Sequence, residues 1–290
     1  MRIGIAGLMT AVLLVAGLSG CTVTATLVED EIIEQRLDTL RGPRVSVETF
    51  NGRISVVTGS DTSIDIRVVK RGSGTSQADA ERDLAMVEHT ITQEPGRVTI
   101  TVRRLDRPLT LGNSGADVEL AVPLDAALEL RTSNGRIESA NVTGSILART
   151  SNGGVTIRDG DDVDAETSNG PLSVSAAGGR LELRTSNGSL DVIAAEEALV
   201  SAETSNGAIS FSGSLAAGDH AFRTSNAALS ISMPTDSEFT MDGHTSNASV
   251  SSSFPLAVAQ DALTGSVGEE PDVRISAVTS NGDLTVTGQP

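Results

Sequence analysis

The sequence predicts an all-β protein: a parallel β-solenoid (β-helix) of stacked coils of about 18–21 residues, preceded by a capping region with one short helix. Three observations predict it. First, Thr-Ser-Asn-Gly begins at Thr132, Thr150, Thr167, Thr185, Thr204 and Thr279, and Thr-Ser-Asn-Ala begins at Thr224 and Thr245. The steps in chain order are 18, 17, 18, 19, 20, 21 and 34 residues, and a degenerate copy, Thr49-Phe50-Asn51-Gly52, lies upstream. Second, when the copies are aligned on Thr, the flanks fall into apolar columns. Leu128, Ile146, Val163, Leu181 and Val200 stand four before it, and Ile137, Val155, Leu172, Leu190 and Ile209 stand five after it. Period-two alternation on both sides of the tetrapeptide reads as strand, bend, strand. Third, the residue before Thr alternates in sign through Arg149, Glu166, Arg184, Glu203 and Arg223. Coils stacked in register turn that column into a charge ladder of opposite neighbours.

The competing fold is an antiparallel β meander or sandwich, because Asn-Gly is a strong hairpin signal. A hairpin gives no reason for Thr-Ser to recur before it, whereas coils about 4.8 Å apart do. Parity places Thr and Asn on the inward side and Ser133, Ser151, Ser168, Ser186 and Ser205 outside. Inward amides of Asn134, Asn152, Asn169, Asn187, Asn206, Asn226, Asn247 and Asn281 then form a structural ladder that satisfies itself and the bend backbone.

The elements follow in order. Val45–Glu48 and Ile54–Val56 make a first coil, Ile64–Val68 a strand, and 77–88 a short helix after a Ser76 N-cap. Arg97–Arg103 and Ala116–Val122 alternate as strands again. Residues 43–127 form the capping part of a 43–290 domain and 128–290 the repeats; a cap protects an edge that would otherwise recruit other strands. From Ser253 to Asp272 the repeat lapses into a loop or an irregular rung.

The start of the chain is an address. Ile3–Leu18 is an apolar run behind Arg2, too short for a membrane span of about 20 residues and suited to a secretory signal peptide. Leu18-Ser19-Gly20-Cys21 resembles the bacterial lipobox. That resemblance implies cleavage between Gly20 and Cys21, acylation of Cys21 by palmitate-like chains, and a lipid anchor at the bacterial cell envelope, in the outer membrane or on a periplasmic membrane face. Residues 1–20 are then a lipoprotein signal peptide and 21–42, rich in Asp and Glu, an acidic tether.

Composition narrows the function. Lys and Arg number 21 against 38 Asp and Glu, a formal charge of −17, which argues against nucleic acid as a partner. One Cys excludes a disulfide framework, and the scattered His89, His220 and His244 suggest no metal site. The acidic run Asp159–Asp164 lacks the downstream Glu of an EF-hand and reads as a solvated turn. There is no phosphate-cradling glycine loop and no recognisable nucleophile triad. No cofactor is expected and no catalytic residue is assigned.

The lipoprotein start, the helix-bearing insertion and the recurrent Thr-Ser-Asn-Gly coils together resemble the bacterial putative-adhesin family of β-strand repeat proteins, over roughly residues 43–287. The resemblance implies a parallel β-solenoid, export or membrane attachment, and a function largely unknown; it brings no catalytic residues. The expected function is a non-catalytic scaffold for binding or adhesion, with an envelope protein or polysaccharide as partner. A self-assembling structural protein and a β-helix carbohydrate-active enzyme are the alternatives. For the enzyme, the nearest acid–base cluster is Arg149 and Arg184 with Glu166 and Glu203.

Overall fold

The computed structural model describes residues 26–105 and 114–289. Gly20 and Cys21, with the signal-peptide reading, lie outside the described residues. The chain runs through β1 (Leu27–Asp38), β2 (Arg44–Thr49), β3 (Ile54–Thr58), β4 (Ser63–Gly74), α1 (Gln77–Ala85), β5 (Val87–Glu94), β6 (Arg97–Arg104) and β7 (Gly115–Val122). Then come β8 (Ala127–Thr132), β9 (Ile137–Ala140), β10 (Ile146–Arg149), β11 (Val155–Arg158), β12 (Asp161–Thr167), β13 (Leu172–Thr185), β14 (Leu190–Glu203) and β15 (Ile209–Ser212). The last are β16 (Gly218–Arg223), β17 (Leu229–Pro234), β18 (Phe239–His244), β19 (Val250–Ser252), β20 (Ala257–Val258), β21 (Ala262–Val267), β22 (Val273–Val278) and β23 (Leu284–Gln289).

Each Thr-Ser-Asn-Gly is a corner between two parallel ladders. The strands that lead into it stack as β2–β8–β10–β12–β13–β14–β16–β22–β18. The strands that leave it stack as β3–β9–β11–β13–β14–β15–β17–β23–β19. β13 and β14 serve twice: each leaves one corner in the second ladder, shifts register near Ser175–Gly179, and enters the next corner in the first. This arrangement is the stacked parallel solenoid and excludes the antiparallel meander.

Spatial order departs from chain order at both ends. The first coil, β2–β3, lies one rung in, because β6 and β7 pair on its outer side. The last coil, β22–β23, likewise inserts between β16–β17 and β18–β19. Antiparallel strands then close the stack: β4 on β7 and β1 on β4, β5 on β6, and at the far end β21 on β18 with β20 on β21. The predicted lapse after Ser253 therefore contains the closing hairpin β20–β21.

Inward positions carry the core. Along one column Leu130, Ala148, Ala165, Leu183, Ala202 and Phe222 follow each other in register and are buried. Leu130, Leu183 and Phe222 are thus separated by rungs that carry Ala, and each buried Leu or Phe contributes about 1.5–3 kcal/mol. Four of the five phenylalanines gather in the C-terminal rungs, where Phe211 meets Phe222 at 5.5 Å and Phe239 meets Phe254 edge-on at 5.0 Å.

α1 begins where Ser76 accepts the Asp79 N–H. It lies against Gly72 and Gly74 of β4, where an added Cβ would meet the Ala80 and Leu84 backbone at 2.5 Å or less.

Two expectations change. The helix expected over 77–88 ends at Ala85, because Val87 and Glu88 are drawn into β5 against β6. The acidic tether of 21–42 is, over Leu27–Asp38, a twelve-residue edge strand. Its acids find cations on β4: Glu31 pairs with Lys70 at 2.6 Å and Glu34 with Arg67 at 3.5 Å, while Arg36 pairs with Asp65 at 2.6 Å. Pairing with a segment distant in the chain turns an apparently solvated run into a strand.

Candidate binding surface

The corner is built from backbone satisfaction outward. Thr is buried in every copy. In the middle rungs its Oγ1 accepts the N–H of the Gly three residues on, as Gly188 N to Thr185 at 3.2 Å and Gly207 N to Thr204 at 3.2 Å. The same hydroxyl donates to the Gly carbonyl of the preceding rung, as Thr185 to Gly170 at 3.2 Å and Thr204 to Gly188 at 3.0 Å. One hydroxyl thereby satisfies two buried backbone groups, which is why Thr recurs. Gly recurs because of close approach: a Cβ on Gly188 would lie 1.8 Å from the Gly170 carbonyl oxygen.

The amide column runs through the whole stack. Asn152 donates to Asn134 at 2.7 Å, Asn169 to Asn152 at 2.9 Å, Asn187 to Asn169 at 2.8 Å, and Asn206 to Asn187 at 2.8 Å. It continues from Asn226 to Asn206, then through the inserted Asn281 to Asn247, at 2.8–2.9 Å. Each Ser carbonyl in mid-stack also receives the backbone N–H of the next rung's Asn, as Asn187 N to Ser168 O at 3.0 Å.

The direction of these side chains differs from the parity reading. Asn134, Asn152, Asn169, Asn187, Asn206, Asn226, Asn247 and Asn281 are all exposed. Ser and Asn together form the outward corner, and the inward phase resumes at Gly. The ladder is therefore on the surface, with its amides occupied by one another.

Beside the corner the charge column is in register: Arg149 lies opposite Glu166, Glu166 opposite Arg184, Arg184 opposite Glu203, and Glu203 opposite Arg223. Side-chain contact is narrower than register. Arg149 forms an ion pair with Glu166 and also reaches Asp164 at 2.9 Å. Arg184 turns along its own strand to Glu182 at 3.5 Å. The two cations thus sit in separate ion pairs, with no shared catalytic cluster.

The outward seryl hydroxyls are the groups left over. Ser133, Ser151, Ser168, Ser186 and Ser205 are exposed, and their Oγ atoms have no hydrogen-bond partner among the described residues. Where this line meets the first arginines it becomes an open groove of about 340 Å³ lined by Glu48, Arg131, Ser133, Arg149, Ser151 and Glu166.

The histidines divide. His220 is buried in an inward column, its Nδ1 accepting the Val200 N–H at 3.2 Å and its Nε2 bonded to the Ala216 carbonyl at 2.8 Å. Burial pushes its pKa down, and the Ala216 bond and Asp219 offset that in part. His89 is pushed down by burial and by Lys70, while His244 is exposed. The acidic run expected as a solvated turn is one only at Asp159–Gly160, since Asp161–Asp164 open β12; Asp159 and Asp162 take left-handed backbone at φ 65° and 58°, and Asp162 accepts the Arg180 N–H at 2.9 Å. Among the described residues no three His, Cys, Asp or Glu side chains gather to hold a metal.

Residues 45–287 match the family profile described as Toastrack DUF4097. The chain belongs to the Toastrack DUF4097 family. Among solved structures, this toastrack chain is similar to one from Parabacteroides distasonis described as a putative adhesin, at 9% identity and a TM-score of 0.41 over 88% of this chain and 97% of that one. A second, from Bacteroides fragilis and described in the same words, aligns at 9% identity and a TM-score of 0.39 over 89% and 97%. A third, also from Parabacteroides distasonis, is described as a putative lipid binding protein, at 9% identity and a TM-score of 0.35 over 88% and 96%. No curated protein matches the chain. None of these three structures is described as an enzyme.

Proposed function

We propose that this toastrack protein is an exported lipoprotein, acylated at Cys21, that presents its solenoid as a non-catalytic scaffold for binding or adhesion at the cell envelope. The observation that carries the reading is the division of labour at the corner. Thr, Gly and Asn are spent on one another, and a line of seryl hydroxyls, one to a rung, is left with no partner among the described residues. At a rung spacing of about 4.8 Å, that line suits an extended envelope polymer or protein better than a small substrate. The ion pairs of Arg149 and Arg184 support the non-catalytic reading over the carbohydrate-active enzyme. Antiparallel closing strands at both ends disfavour a polymer grown coil on coil.

The test separates binding from folding. Ser168→Phe combined with Ser186→Phe should keep the wild-type melting curve and lose binding to immobilised envelope extract. Asn187→Ala should melt earlier, by about 1 kcal/mol of lost amide bonding, and still bind. Equal binding by all three proteins would overturn the reading. Cys21→Ser should move the protein out of carbonate-washed membranes; sedimentation with them would refute the anchor.

A further inference from the structure

At the N-terminal end the closing antiparallel strands themselves leave two edges without a strand partner among the described residues. β1 pairs with β4 over its whole length and, among the described residues, with no strand on its other edge. β5 closes the other ladder at the same end, paired with β6 alone among the described residues. Between these two edges Ile33, Leu37 and Ile91 are only partly buried against the core. On the outer face Val28 and Ile32 are 48% and 37% exposed.

We propose that this end docks a second copy of the chain, β1 against β1 in antiparallel pairing on a two-fold axis through Ile33. A single added peptide would cover one edge; a copy related by an axis normal to the sheet brings its own β1 and β5 to the same end. The charges select the register. A residue's N–H and C=O point to the same edge and alternate along the strand, so a two-fold pairing must centre on a residue.

Centring on Glu31 sets Glu31 against itself, and centring on Glu34 does the same for Glu34. Centring on Ile32 sets Asp30 against Glu34. Centring on Gln35 avoids like charges but engages only the C-terminal part of the strand, 32–38. Centring on Ile33 puts Asp30 opposite Arg36, Glu31 opposite Gln35, Ile32 opposite Glu34 and Ile33 opposite its mate, with no like charges facing over 28–38. Like charges directly opposite destabilise a strand pair and opposite ones stabilise it. The acids that make this edge repel most strands therefore favour one register of itself. The contact closes on two copies, so it yields a dimer and not a fibre.

Sedimentation velocity over a concentration series of the purified full chain tests this. The dimer fraction should rise with concentration. Gln35 lies opposite Ile66 of β4 within its own chain, and opposite Glu31 twice in the proposed register. Gln35→Glu should therefore weaken association about tenfold, and Gln35→Lys should strengthen it. Circular dichroism on each variant keeps the comparison among folded proteins. A wild type that stays monomeric throughout overturns the proposal. So does a dimer indifferent to both changes, or one that Gln35→Lys weakens as much as Gln35→Glu does.

Discussion

The two ends of this solenoid solve the same problem with different chemistry. Each places a coil from the chain terminus one rung inside the stack and closes over it with antiparallel strands. The N-terminal end is held by charge: Arg104 with Asp83 at 2.5 Å, Lys70 with Glu31 at 2.6 Å, Arg67 with Glu119 at 2.7 Å and Arg71 with Asp117 at 2.8 Å. The C-terminal end is held by apolar packing, with Phe239 against Phe254, and by the buried imidazole of His220. Residues 41–110 carry 11 basic and 9 acidic groups, whereas 111–290 carry 8 and 24. A cap that adds a helix and antiparallel strands has side chains of many orientations to satisfy, and ion pairs do so. The repeats need only shape, because Thr and Asn satisfy the corner.

That contrast breaks first in mid-stack. Thr185→Val keeps the shape of the clasp and removes the hydroxyl shared by Gly188 N–H and Gly170 C=O. Two buried backbone groups lose a partner, so the variant should lose about 3 kcal/mol in denaturant melts. Thr49→Val removes one bond, to Ala116 O at 3.3 Å, and should cost about 1 kcal/mol. Equal losses would mean that the corner is held by packing and not by the hydroxyl.

The N-terminal cap should fail next. Burial raises the Asp83 pKa, but hydrogen bonds from Arg104 and the Ser73 N–H outweigh it and hold the carboxyl below its usual range. A depressed carboxylate contributes stability above its unfolded value of about 3.9 and loses it as pH falls through the folded pKa. Asp83→Asn should therefore cost about 2 kcal/mol at neutral pH, and the gap to wild type should close in acid. Hydrogen exchange should place the loss in β4, α1 and β6, with the Thr-Ser-Asn-Gly rungs unchanged.

Much of this was legible beforehand, and the exceptions are instructive. The columns that flank each copy from Thr132 to Thr279 were enough for the coils, because like residues must stack when each rung buries the same face; Leu128, Ile146, Val163 and Leu181, buried and in register, show it. The Asn column misleads on direction because parity counting assumes an unbroken strand through Thr-Ser-Asn. The chain turns at Ser-Asn instead, so parity fails at Asn187, which points outward beside Ser186. β1 hides among acids, since its partners Arg67 and Lys70 lie far along the chain. The step of 34 residues before Thr279 marks a departure but not which slot the coil takes, and the structure inserts Asn281 between Asn226 and Asn247.

The C-terminal end should respond to acid in its own way. His220 is neutral with its Nδ1 accepting the Val200 N–H, and burial lowers its pKa below the usual 6.5. The unfolded chain then binds the proton first, so stability falls as pH drops below about 6.5 and levels off under the folded pKa. Melts at neutral pH and in mild acid should show this loss, and His220→Gln, which can still offer an acceptor to Val200, should reduce it. An undiminished acid response in that variant would shift the cause to His89 at the other end, whose pKa is also lowered by burial.

The smallest effect lies on the surface of the rungs between the two ends. Arg149 reaches across the rungs to Glu166 and Asp164, while Arg184 stays with Glu182 on its own strand. Both guanidinium groups are more than a third exposed, and exposed pairs contribute about 0–1 kcal/mol. Arg149→Ala should therefore cost a few tenths of a kcal/mol more than Arg184→Ala, both within that range. Raising the salt should erase the difference, since screening acts on exposed pairs. A salt-independent gap would show that Arg149 acts through the packing of its methylene stem along the rungs and not through its charge.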